Sequence, residues 1–101
     1  MTRQELLLVQ LAEECSEVAV RVSKALRFGL TEVQPGQDQT NASRIVDELM
    51  DLHTIALMLS LEGALPNLSG LEKTRAIQAK TAKIEKYLAY SKECGTLETY
   101  R

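Results

Sequence analysis

Tryptophan is absent from this chain, and one Phe and three Tyr are its only aromatic residues. Stacking platforms for exposed bases are therefore not expected, and a net charge of −2 gives no electrostatic pull toward a phosphate backbone. Nucleic acid is excluded as the expected partner. Histidine occurs once, at position 53, so the Glu-x-x-His pairs of di-iron carboxylate bundles cannot be assembled. The two cysteines, Cys15 and Cys94, fit no metal-binding spacing and read as reduced thiols. No apolar run approaches the roughly 20 residues that span a bilayer, and no membrane association is expected. The opening "MTRQELLLVQLAEE" turns acidic after a brief apolar patch and does not read as a signal peptide. The expected compartment is the cytoplasm.

What remains is helical. Three segments carry a 3.6-residue apolar period, and none alternates as a strand does. The first runs from about residue 3 to 28, opened by a Thr2/Glu5 capping box and stopped by Gly29. The second covers about 41–62, with Thr40 or Asn41 as N-cap and Gly63 then Pro66 beyond its end. The third follows a Ser69/Glu72 capping box and ends near Glu93, before Gly95. The expected architecture is all-α, a bundle of three long helices forming a single domain over 1–101. It has a long loop at 30–40, a loose tail at 95–101, and a small core completed by oligomerisation.

Charge is concentrated where a core should be. With Glu14 at the origin of a helical wheel, Leu7, Leu11, Val18, Val22 and Ala25 fall within about 80° of it, and Glu17 lies about 60° to the other side. On the second helix Ile45, Leu52, Ile55, Ala56 and Leu59 lie within about 80° of Glu48, with Asp51 again about 60° away. The far side of that helix carries Val46, Met50, Leu57 and Leu61, so it is apolar nearly all round, as expected of a central or interface helix. An i, i+3 acidic pair is ordinarily solvated surface. Two pairs set in the apolar stripes of two helices are a different matter, because uncompensated inward carboxylates repel one another or take up protons. Arg21 and Lys24 lie toward Glu17, and Arg44 lies near Glu48, too few cations to neutralise four acids. A divalent cation can do so. Oxygen-only ligands suit Mg²⁺, or Mn²⁺. His53 points well away from Glu48 and reads as a packing or surface residue.

The stretches "EECSE" (Glu13, Glu14, Glu17) and "ELMD" (Glu48, Asp51) together resemble the EExxE…ExxD signature of the MazG-like all-α nucleotide pyrophosphohydrolases, over about residues 5–62. The gap between the two halves is at the long end of that pattern, with the extra length in the 30–40 loop. The resemblance implies that Glu14, Glu17, Glu48 and Asp51 bind Mg²⁺, with Glu13 a catalytic helper beside them. It further implies a homodimer or homotetramer that hydrolyses a nucleoside triphosphate to the monophosphate and pyrophosphate, in the service of nucleotide-pool cleansing. Lys24, Arg27, Lys80 and Lys83 are the candidate phosphate-binding residues. Phe28 and the 30–40 loop are the candidates for base and sugar selectivity. Phosphoribosyl-ATP pyrophosphohydrolase is a related alternative, faintly matched by "DLHTIALML", although "RFG" and the Gln-rich loop fit the MazG-like group better. A non-catalytic oligomerisation or regulatory module is the alternative of another class.

Overall fold

The computed structural model describes residues 1–98, and its regular elements are all helical: α1 (Arg3–Phe28), α2 (Asn41–Leu61) and α3 (Gly70–Glu93). Among the described residues there is no strand. No helix is long and apolar enough to cross a membrane. The chain divides into two compact units, Met1–Asn67 and a second that begins at Leu68. Of the tail expected at 95–101, residues 99–101 lie outside the described residues.

Each helix starts where a hydroxyl can satisfy an orphan N–H. Thr2 Oγ1 accepts from the Glu5 N–H at 3.1 Å, making the N-cap half of the box expected there. Thr40, rather than Asn41, caps α2 by accepting from the Ser43 N–H. Ser69 and Glu72 form the full reciprocal box at α3. Gly29 ends α1 at φ 103°, a backbone conformation that favours glycine, while its N–H still donates to the Ala25 carbonyl.

In the first unit α1 and α2 pack against each other as an antiparallel pair. One end is marked by the Arg3 Nε–Glu62 Oε1 ion pair at 2.7 Å, the other by Asn41 hydrogen-bonded to Gly29. The seam has a 4-3 rhythm on both helices. On α1 it runs Leu7, Leu11, Glu14, Val18, Arg21, Ala25, all buried or half-buried; on α2 it runs Asn41, Ile45, Glu48, Leu52, Ile55, Leu59. Antiparallel pairing, with Arg3 bonded to Glu62, sets Leu7 about level with Leu59 and Glu14 with Asp51. Among the described residues only Leu7, Ala25 and Leu59 are buried apolar residues. Val46, Leu49, Met50, Leu57 and Leu61 on the opposite face of α2 are exposed. The second unit contains α3, which has no buried residue.

The eleven-residue loop is held by one side chain. Asn41 is the only buried polar residue among the described residues, 3% exposed, and its Nδ2 donates to the Gly29 carbonyl at 2.8 Å and to Glu32 Oε1 at 3.1 Å. Its own N–H donates to the Glu32 carbonyl, and the next N–H, of Ala42, donates to Leu30. Arg44 Nη1 adds a bond to Gln34 Oε1 at 3.1 Å. Without Asn41 the Gly29 carbonyl loses a buried partner, a loss worth about 1–3 kcal/mol. Asn41→Ala is expected to lower the unfolding free energy by that amount, read as a lower urea midpoint with the denaturant slope unchanged; an unaltered midpoint would contradict the role given to it.

Candidate metal centre

The seam rhythm that stacks Leu7, Leu11 and Val18 also places Glu14 inward, and on α2 it does the same for Glu48. Asp51 flanks the seam level with Glu14. Glu14, Glu48 and Asp51 each offer one carboxylate oxygen, and these oxygens lie within 4.8 Å of one another. Glu14 and Glu48 are half-buried and Asp51 is exposed, so the group opens to solvent on the α2 side. The Oε2 atom of Glu14 is buried and has no hydrogen-bond partner.

Such an arrangement is electrostatically unfavourable when every carboxylate is charged. Burial, the Glu48 carboxyl lying against it, and the charges of Asp51, Glu48 and Glu17 all push the Glu14 carboxyl above its ordinary value of 4.5. No cation reaches the group: the one ion pair among the described residues is Arg3–Glu62, at the far end of the hairpin. The donor set is oxygen only, with no sulfur or imidazole, and suits a hard divalent cation. Oxygens bound to Mg²⁺ at about 2.1 Å sit at most about 4.2 Å apart, so small side-chain rotations would bring these three into range.

The four acids expected as ligands are thus not equivalent. Glu14, Glu48 and Asp51 converge; Glu17, one turn along α1, is exposed and outside the close group, although its charge is felt at Glu14. Glu13 is exposed beside the seam, as its wheel position implies. Of the expected phosphate-binding residues, Lys24 is half-buried on the flank of α1, three residues beyond Arg21. Arg27 is exposed, with its guanidinium 4.9 Å from the centroid of the Phe28 ring, a cation–π contact. Lys80 and Lys83 belong to the second unit, where they line a shallow groove on α3 with Ile84, Tyr87, Leu88 and Ser91.

Phe28 lines an open groove of about 270 Å³ with Glu32, Gln34 and Pro35. Fourteen residues of helix separate Phe28 from Glu14, about 21 Å along the axis. That span distances the groove from the carboxylates of the same hairpin. His53 is exposed and takes no part in the cluster. Two residues now stand out that the candidate set did not include. Asn41 carries the loop, and Arg21 holds a buried, unpartnered Nη1 in the seam. The first was foreshadowed only as a possible N-cap, the second only as a counter-charge.

Compared with known families, curated proteins and solved structures, the chain matches no family model, no curated protein and no solved structure. The functional argument therefore rests on the residues and their geometry.

The raised Glu14 carboxyl has a direct thermodynamic consequence. Between 4.5 and its raised value the folded chain binds more protons at Glu14 than the unfolded chain, so this group's contribution to stability falls as pH rises. In chelator at neutral pH, Glu14→Gln is expected to be more stable than the wild type, with the gap closing on acidification below the carboxylate range. Paired urea titrations across pH measure it. A gap of the opposite sign, or one independent of pH, would contradict the crowding of charge at Glu14.

Proposed function

We propose that the chain is a Mg²⁺-dependent nucleotide pyrophosphohydrolase of the MazG-like kind, cleaving a nucleoside triphosphate to its monophosphate and pyrophosphate. The observation that carries this reading is the convergence of Glu14, Glu48 and Asp51 from two helices, with a buried Glu14 oxygen that has no protein partner. Half-buried like charges without a cation are costly, and a divalent ion is the simplest group that offsets them. The residues therefore fit Mg²⁺, or Mn²⁺ in its place, and Glu14, Glu48 and Asp51 would hold it. The EExxE…ExxD spacing that contains them supports the same conclusion.

When bound, the metal supplies charge neutralisation on phosphate oxygens and a lowered pKa for the attacking water. The chain's own residues do the rest. Glu17, exposed one turn beyond Glu14, would accept the proton of the attacking water as the water oxygen bonds to the α-phosphorus. The bond from the α-phosphorus to the bridging oxygen breaks, and pyrophosphate leaves. Glu13, next to Glu14 but exposed, is a helper that adjusts the field at the cluster. Lys24, on the half-buried flank of α1, is the lysine of the first unit considered for a phosphate oxygen. The exposed apolar back of α2 supports a homo-oligomer, dimer or tetramer, acting on the nucleotide pool of the cytoplasm.

A panel of ribo- and deoxyribonucleoside triphosphates with Mg²⁺ tests the reading. Monophosphate and pyrophosphate are expected in equal amounts from at least one of them, dependent on metal. Glu48→Gln should lower turnover on the order of a hundredfold. No turnover by the wild type, or equal turnover by the variant, would overturn the assignment.

A further inference from the structure

Helix α3 has no buried residue, and Ile77, Ile84 and Leu88 are among its exposed apolar side chains. These three fall on one stripe that runs Thr74, Ile77, Thr81, Ile84, Leu88, Ser91, in alternating steps of three and four. That is the rhythm of a coiled-coil helix, with Thr74, Thr81 and Leu88 at a and Ile77, Ile84 and Ser91 at d. The opposite side carries Glu72, Arg75, Ala79, Ala82, Lys86 and Ala89, all good helix formers that need no cover. The helix is therefore built to pair along one stripe only.

The shallow groove on α3 has the form such pairing requires. In a coiled coil, each a or d side chain enters a hole made by four residues of the facing helix. Ile84, Tyr87, Leu88 and Ser91 line the groove at successive d, g, a and d positions, which together make one such hole. Charge then selects the partner and its direction. Lys73, Lys80 and Tyr87 occupy g, while Gln78, Glu85 and Lys92 occupy e. In a parallel pair each g residue faces the e residue five positions on in the other helix. Lys80 then meets Glu85, and Tyr87 meets Lys92 in a cation–π contact, each twice by symmetry. Among the described residues neither Lys80 nor Glu85 is in an ion pair, and a spacing of five does not suit one within a helix. Antiparallel pairing would set the flank of Lys73 and Lys80 against its own copy.

We propose that α3 is a homotypic docking helix, which pairs in parallel and in register with α3 of a second copy of this chain. Ile77, Ile84 and Leu88 form its apolar contact, and Lys80 and Glu85 set its direction. Thr74, Thr81 and Ser91 dilute the stripe, so the association is weak and reversible. The contact lies wholly in the second unit and is separate from the exposed face of α2. It rests on neither the metal nor the hydrolase reading.

Cross-linking and sedimentation of the full chain test this, with Cys15→Ser leaving the exposed Cys94 as the only thiol. In a parallel pair the two Cys94 residues lie at the same end of the paired helices; in an antiparallel pair they are about a helix length apart. A short bismaleimide is expected to give a covalent dimer, and sedimentation to show self-association between micromolar and millimolar protein. Lys80→Glu or Glu85→Lys should each weaken that association about tenfold, as two attractions become two repulsions. Combined in one chain, the two substitutions exchange the charges across the interface and should restore it. Both positions are exposed, so the helix tolerates the changes. No Cys94 dimer, or a double variant no stronger than either single one, would overturn the pairing. Self-association through the α2 face alone would leave all these chains alike, and that result would overturn it too.

Discussion

Three carboxylates held close together on the inner side of a two-helix hairpin are the constraint around which the first unit is built. Glu14, Glu48 and Asp51 cannot all be charged so close together, two of them half-buried, without cost, and among the described residues no basic group forms an ion pair with them. The upward push on the Glu14 carboxyl is the measure of that conflict within the protein. A hydrophobic seam with Leu or Ile at positions 14 and 48 would be the more stable packing. The acids at these positions are consistent with a hairpin shaped for a cation at some cost in its own stability.

The remainder of the hairpin keeps those acids in register. Because the seam repeats as four and three residues on both helices, a shift of one position would carry Glu14 out of line with Asp51 and Leu7 out of line with Leu59. Two features oppose such a shift. Arg3 pairs with Glu62 at one end, and at the other Asn41 fastens the first residue of α2 to the end of α1. Of these the exposed ion pair contributes little. The buried amide is the stronger device. It bonds both the Gly29 carbonyl and Glu32, and so fixes where the long loop must deliver the chain.

Much of this was legible in the residues. Helix ends followed from Thr2, Thr40, Ser69 and the glycines beyond, because caps are local chemistry. The inward placement of Glu14 and Glu48 followed from periodicity alone. The differing fates of Glu17 and Asp51 did not, although each stands three residues after an inward glutamate. Which flank of a helix meets its neighbour is set by the packing of the pair, and only Asp51 is on the facing flank here. Asn41 was missed for a related reason, because its role depends on a carbonyl twelve residues away. Phe28 and its loop, considered for base and sugar selectivity, stand about 21 Å along α1 from Glu14, a separation set by helix rise.

The central claim is that the cluster is a divalent-cation site, and the most direct measurement is electron paramagnetic resonance of Mn²⁺ titrated into the full chain at neutral pH. The account predicts that the free Mn²⁺ signal is suppressed in proportion to added protein, and that the doubly neutralised variant, Glu14→Gln with Glu48→Gln, leaves it unchanged. A free-ion signal that wild-type protein does not diminish, or that the double variant diminishes equally, would contradict it.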